Sequence, residues 1–91
     1  MNRLKEISLA LARVRDQKLI EDFLKSILTP QEIKTVSSRW ALVRELDQGM
    51  SQRKVAKKLG LSLCKITRGA RELKKRQSAF KQVINEYNKQ T

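Results

Sequence analysis

The chain has no histidine, one cysteine, one proline, three glycines and four aromatic residues among its 91. Without histidine, and with a single cysteine, there is no ligand set for a zinc site and no disulfide within the chain. No metal is expected. The missing histidine, with no glycine-rich phosphate loop and no evident nucleophile–base pair, also argues against an enzyme. Few prolines and glycines, with apolar residues at helical spacing almost throughout, make an all-helical chain the expected class. Long hydrophobic runs are absent as well. The longest nearly apolar stretch, Ile7 to Ala12, is far short of a membrane span, and no signal peptide is visible. The expectation is a cytoplasmic protein with no membrane partner.

Positive charge is abundant. The net charge is +12, and Ser51 to Lys75 holds nine Lys/Arg against Glu72 alone, so +8 of it lies in 25 residues. Evenly spread charge would suggest only solubility; clustering of this kind suggests a polyanion, nucleic acid first. The four aromatics lie outside the basic stretch, which disfavours stacking on single-stranded bases.

The basic cluster falls on a recognisable unit. Gln52 to Arg71 reads as two short helices joined by a tight turn at Gly60, with Val55, Leu59, Leu61 and Ile66 apolar where a helix-turn-helix needs buried contacts. Ala56 sits at the close approach of the two helices. Gly60 suits a left-handed turn, and Ser51 and Ser62 are placed to cap the two helices. One position departs from the pattern: Gly69 falls where a core aliphatic is usual.

Upstream, Leu4, Ile7, Leu11 and Val14 predict a first helix, and Leu19, Ile20, Phe23, Leu24, Ile27 and Leu28 a second with a wider apolar stripe. These are either ordinary core or an interface completed by a second copy. Thr29-Pro30-Gln31-Glu32 is a helix start: Thr29 as cap, Pro30 at the first helical position, Glu32 reaching back. The third helix, about 18 residues by its apolar period, is expected to bury Ile33, Val36, Trp40, Val43 and Leu46 and to end near Gln48-Gly49. After Arg71 the helix should continue to about Lys75. Gln77-Ser78 breaks the chain, and Phe80, Val83, Ile84 and Tyr87 mark a last amphipathic helix before a frayed Asn88–Thr91.

Leu28-Thr29-Pro30-Gln31-Glu32, Met50-Ser51-Gln52-Arg53 and Ile66-Thr67-Arg68-Gly69 occur in an order and at separations that resemble the bacterial tryptophan repressor family. The resemblance covers about Leu19 to Leu73, and both ends more loosely. It implies a six-helix, intertwined homodimer: 1–49 dimerisation helices, 50–75 the helix-turn-helix, 76–91 a C-terminal helix. Docking of the second helix of the unit in the major groove, and water-mediated base contacts, come with the family. So does repression of tryptophan-biosynthesis operators with L-tryptophan as co-repressor.

By the same resemblance, the ligand's indole would lie between Arg39 and Arg68, beside Thr29, with its ammonium on backbone carbonyls of the partner's Ser26 and the partner's Leu28. Planar guanidinium groups suit an aromatic face and a carboxylate. Gly69 would be small to leave room for the ligand. Glu72 departs from a family serine, and can either hold the ammonium or pair with Arg68. Two further departures are one fewer residue around Asp47-Gln48-Gly49 and Ala56 in place of a phosphate-touching lysine.

Gln52 would touch phosphate and Arg53 a guanine, and Lys54, Lys57 or Lys65 would supply phosphate contacts. Leu63, Cys64 and Thr67 would face base edges, reading through water and methyl contacts. Lys74, Lys75 and Arg76 are either diffuse attraction or a solvated face. The competing reading is a ligand-independent helix-turn-helix of the transposase or replication-initiator kind, which would keep the DNA residues without needing Arg39.

Overall fold

Helix boundaries in the computed structural model, which describes residues 2–89, fall where short polar side chains can satisfy free backbone N–H groups. There are six helices: α1 (Arg3–Ala12), α2 (Gln17–Ile27), α3 (Pro30–Asp47), α4 (Gln52–Leu59), α5 (Leu63–Lys74) and α6 (Ala79–Lys89). No strand occurs among the described residues. The all-helical class and the six elements are as expected. The first helix ends before Val14, and α6 runs on through Asn88 and Lys89 rather than fraying there. Gln90 and Thr91, the rest of the expected frayed end, lie outside the described residues.

The capping box at the start of α3 is formed as read. The Thr29 N–H donates to Glu32 Oε1 at 2.8 Å, and the Glu32 N–H donates to Thr29 Oγ1 at 3.1 Å. Ser51 and Ser62 accept from the N–H groups of Lys54 (3.2 Å) and Lys65 (3.4 Å). Three further caps follow the same chemistry but were not anticipated. Asn2 accepts from the Lys5 N–H, Asp16 from the Lys18 and Leu19 N–H groups, and Ser78 from that of Lys81. Gly60 takes φ +66°, and the Leu61 N–H reaches back to the Ala56 carbonyl at 3.1 Å, closing α4 as a left-handed cap. Gly49 (φ +97°) ends α3 the same way, with the Met50 N–H on the Glu45 carbonyl.

After Thr35 the chain divides into two compact units. In the first, neither α1 nor α2 buries a side chain fully, and Leu4, Leu9, Leu19, Leu24 and Ile27 are exposed. Its ion pairs are one-turn surface pairs, Lys18–Asp22 and Glu21–Lys25. The hydrogen bond from Lys25, and its charge, hold the Glu21 carboxyl below its ordinary pKa.

The second unit has a core of Leu42, Val43, Val55, Ile66 and Ile84, with Trp40, Leu46, Leu59, Leu61, Leu73 and Phe80 packed around it. The expected face of α3 needs correcting. Val36 is exposed, Ile33, Trp40 and Leu46 are only half-buried, and Leu42 is buried beside Val43. Within this unit the α3 contribution to the core begins at Trp40, one turn after Val36. On α6, Ile84 is buried, while Val83 and Tyr87 stay exposed. Tyr87 still meets the Trp40 ring edge-on at 5.9 Å and lies under the Arg44 guanidinium at 4.9 Å; Phe80 stacks on Trp40 at 5.8 Å. Lys81 of α6 also pairs with Asp47 at the end of α3.

Candidate nucleic-acid interface and ligand-binding residues

Val55 and Ile66, both without solvent exposure, are the hydrophobic link between α4 and α5. Burying them turns the remaining positions outward. Gln52, Arg53, Lys54 and Lys57 on α4 are exposed, as are Leu63, Cys64, Lys65 and Thr67 on α5. All eight expected DNA residues are therefore exposed on this helix pair. Lys58, the fourth cation of α4, is committed elsewhere, to Glu45 of α3 at 2.7 Å. Ser62 fills the Lys65 N–H at the start of α5, and the positive dipole end of that helix lies beside Leu63 and Cys64.

The residues expected at the ligand are distributed between the two units. Arg39, Arg68, Gly69 and Glu72 lie in the second. Gly69 is buried, and a Cβ there would run into the Leu42 side chain and come within 3.3 Å of Val43 Cγ2. The close approach of α5 to α3 is thus one cause of its smallness, beside the ligand room expected from the sequence. Arg39 stands one turn before Leu42 and Val43 on α3, and Arg68 adjoins Gly69 on α5; both are exposed. Glu72 pairs with Lys75 at 2.9 Å, an i,i+3 neighbour, and not with Arg68.

Ser26, Leu28 and Thr29 lie in the first unit, at the end of α2. The Ser26 hydroxyl donates to the Phe23 carbonyl at 2.8 Å, and the Thr29 hydroxyl accepts from the Glu32 N–H. A helical continuation would satisfy the Ser26 carbonyl from residue 30, but Pro30 has no N–H. The Leu28 carbonyl would use the N–H of Glu32, which Thr29 has taken. Among the described residues neither carbonyl accepts a hydrogen bond, and both lie at the negative end of α2, chemically apt for an ammonium group.

An open cleft of about 480 Å³ at the α3–α4 turn is lined by Glu45, Gln48, Gly49, Met50, Ser51 and Lys54, none of them expected at the ligand. Among the described residues no group of acidic, histidine or cysteine side chains is arranged to hold a metal ion. None of the described helices is long and apolar enough to cross a membrane.

Comparison with known proteins identifies the family. A family model described as "Trp repressor protein" matches residues 2–88. A "Trp operon repressor homolog" of Chlamydia trachomatis serovar D is 34% identical over 74 residues, covering 80% of this chain and 79% of the relative. The protein of the same description from Vibrio vulnificus strain YJ016 is 38% identical over 72 residues, covering 78% of this chain and 71% of its own. One from Chlamydia caviae is 30% identical over 79 residues, 86% of this chain and 78% of the relative. No solved structure matches. With its helix-turn-helix, its α3 start and a match that spans all but its ends, the chain belongs to the Trp repressor family.

Proposed function

We propose that this protein is a cytoplasmic, homodimeric repressor of a tryptophan operon that binds operator DNA when L-tryptophan occupies the site flanked by Arg39 and Arg68. The reading is supported above all by one observation: the eight expected DNA residues are all exposed on a helix pair held together by the buried Val55 and Ile66. The family is regulatory and does not perform catalysis. Residues 1–49 would dimerise, 50–75 read DNA, and 76–91 close the fold. Dimerisation accounts for an N-terminal unit in which α1 and α2 bury no side chain fully.

The free carbonyls of Ser26 and Leu28, carried by a partner subunit, would accept the ammonium of tryptophan. Thr29 and Gly69 would border it, the Arg39 and Arg68 guanidinium groups would face the indole, and one of them would take the carboxylate. Glu72 adds a carboxylate near the ammonium, provided the ligand draws it from Lys75. Calorimetric titration with L-tryptophan tests this. Arg68→Ala should weaken binding about 10–100-fold, the loss of charge-assisted bonds. Glu72→Ser should weaken it only about two- to fivefold, because Glu72 is half-exposed and screened. Tighter binding by Glu72→Ser would show that the carboxylate opposes the ligand. If neither substitution changed binding, the pocket would be misassigned and the ligand-independent reading would take its place.

A further inference from the structure

The solvent face of α5 changes character along its length. Ile66 and Gly69 are buried, and Ala70 and Leu73 half-buried, so those four define the inward side. The exposed positions are Leu63, Cys64, Lys65, Thr67, Arg68, Arg71 and Lys74. Cys64 and Arg71 are seven residues apart, which returns the helix to within about 20° of the same direction. Thr67 lies between them on that stripe. Its first turn presents a thiol and a hydroxyl-and-methyl side chain, groups that suit base edges. Its later part presents a guanidinium, which suits phosphate.

The dimensions agree with that division. Seven residues advance the helix by about 10 Å. The major groove is about 12 Å wide and 8.5 Å deep, so a helix whose first turn meets the base edges has reached the sugar–phosphate wall by then. Just past α5, Lys75 is held by Glu72 at 2.9 Å, whereas Arg71 and Lys74 make no ion pair among the described residues, and of these two Arg71 is the one on the Cys64–Thr67 stripe. We infer that Arg71, through its exposed guanidinium on the Cys64–Thr67 stripe of α5, is a phosphate contact that sets how deeply the recognition helix enters the groove.

The inference rests on the DNA-binding reading and extends it to a residue that composition and motif alone left unassigned. The test is the salt dependence of binding to two duplexes, one of mixed sequence and one selected by the protein from a random pool, with L-tryptophan present. Arg71→Gln should reduce the slope of log K against log salt by about 0.9 per subunit, the counterion released at one phosphate. Arg71→Lys should keep the slope, since a point charge still neutralises a phosphate. Arg13→Gln, on the N-terminal side of α2, changes net charge equally and should leave the slope unchanged. An unchanged slope in Arg71→Gln beside a steep parent slope would overturn the inference while leaving the functional reading in place. Equal reductions by Arg71→Gln and Arg13→Gln would also overturn it, because the effect would then be diffuse charge. A parent protein that binds neither duplex would overturn the DNA-binding reading, and this inference with it.

Discussion

Ile66→Ala should destabilise the protein by about 2–5 kcal/mol, the range for truncating a fully buried isoleucine. Ile66 has no solvent exposure and sits in the core shared by Leu42, Val43, Val55 and Ile84. A small domain is stable by only about 5–15 kcal/mol, so this one change removes a large share. It is also local to the proposed function, because Ile66 lies between Lys65 and Thr67 on the helix proposed to face DNA. Urea unfolding followed by circular dichroism measures it. Run at two protein concentrations, the same experiment reads the dimer: the parent midpoint should rise with concentration, since α1 and α2 bury no side chain fully. A loss below about 1 kcal/mol, well under the cost of an isoleucine cavity, would contradict the packing described for α5. A midpoint independent of concentration would contradict the dimer.

The second large effect is on DNA affinity. If the cations of the helix-turn-helix neutralise six to ten phosphates per complex, affinity should fall on the order of 10³–10⁵ between 50 and 200 mM salt. Within that overall loss, individual residues should separate. Arg53→Ala should lower the ratio of specific to random binding by about 1–3 kcal/mol, the value of a bidentate arginine on guanine. Lys57→Ala should weaken both duplexes alike. Fluorescence anisotropy with a selected and a mixed-sequence duplex distinguishes the two, and an equal loss on both for Arg53→Ala would remove it from base reading.

What the sequence made legible was mostly local. The Thr29–Glu32 capping box, the Ser51 and Ser62 caps and the Gly60 turn each depend on atoms within a few residues, and each is present as read. Asp16 and Ser78 use the same chemistry and were equally readable, since the apolar periods of α2 and α6 begin just after them. Tertiary features were harder. Val36 and Val43 are seven residues apart and share a direction on α3, so period alone cannot tell that only Val43 is covered. Leu42 is buried because α5 comes close at Gly69, a contact with no signature in the sequence beyond the glycine itself. Glu72 had cations within one turn on either side, Arg68 and Lys75. Its choice of Lys75 is set by side-chain geometry that spacing cannot resolve.

At the site, the identities of the outward residues were legible because a helix-turn-helix constrains its inward ones. Once Val55 and Ile66 are assigned to the core, exposure of Arg53, Cys64 and Thr67 follows from the helical period. Arg71 lies further along the same face but outside the motif's familiar positions, and only the pattern of exposure along α5 draws it in.

Tryptophan can control DNA binding only by its different affinity for two states of the protein. The most direct measurement is the affinity for a selected duplex at one fixed salt concentration, with and without saturating L-tryptophan. Saturation should tighten DNA binding by about 5–150-fold, the usual range for coupled sites, and DNA should tighten tryptophan binding by the same factor. In Arg68→Ala the tightening should largely vanish. Equal affinity with and without L-tryptophan in the parent protein, with sequence preference retained, would contradict the account and leave a helix-turn-helix protein that binds DNA without its ligand.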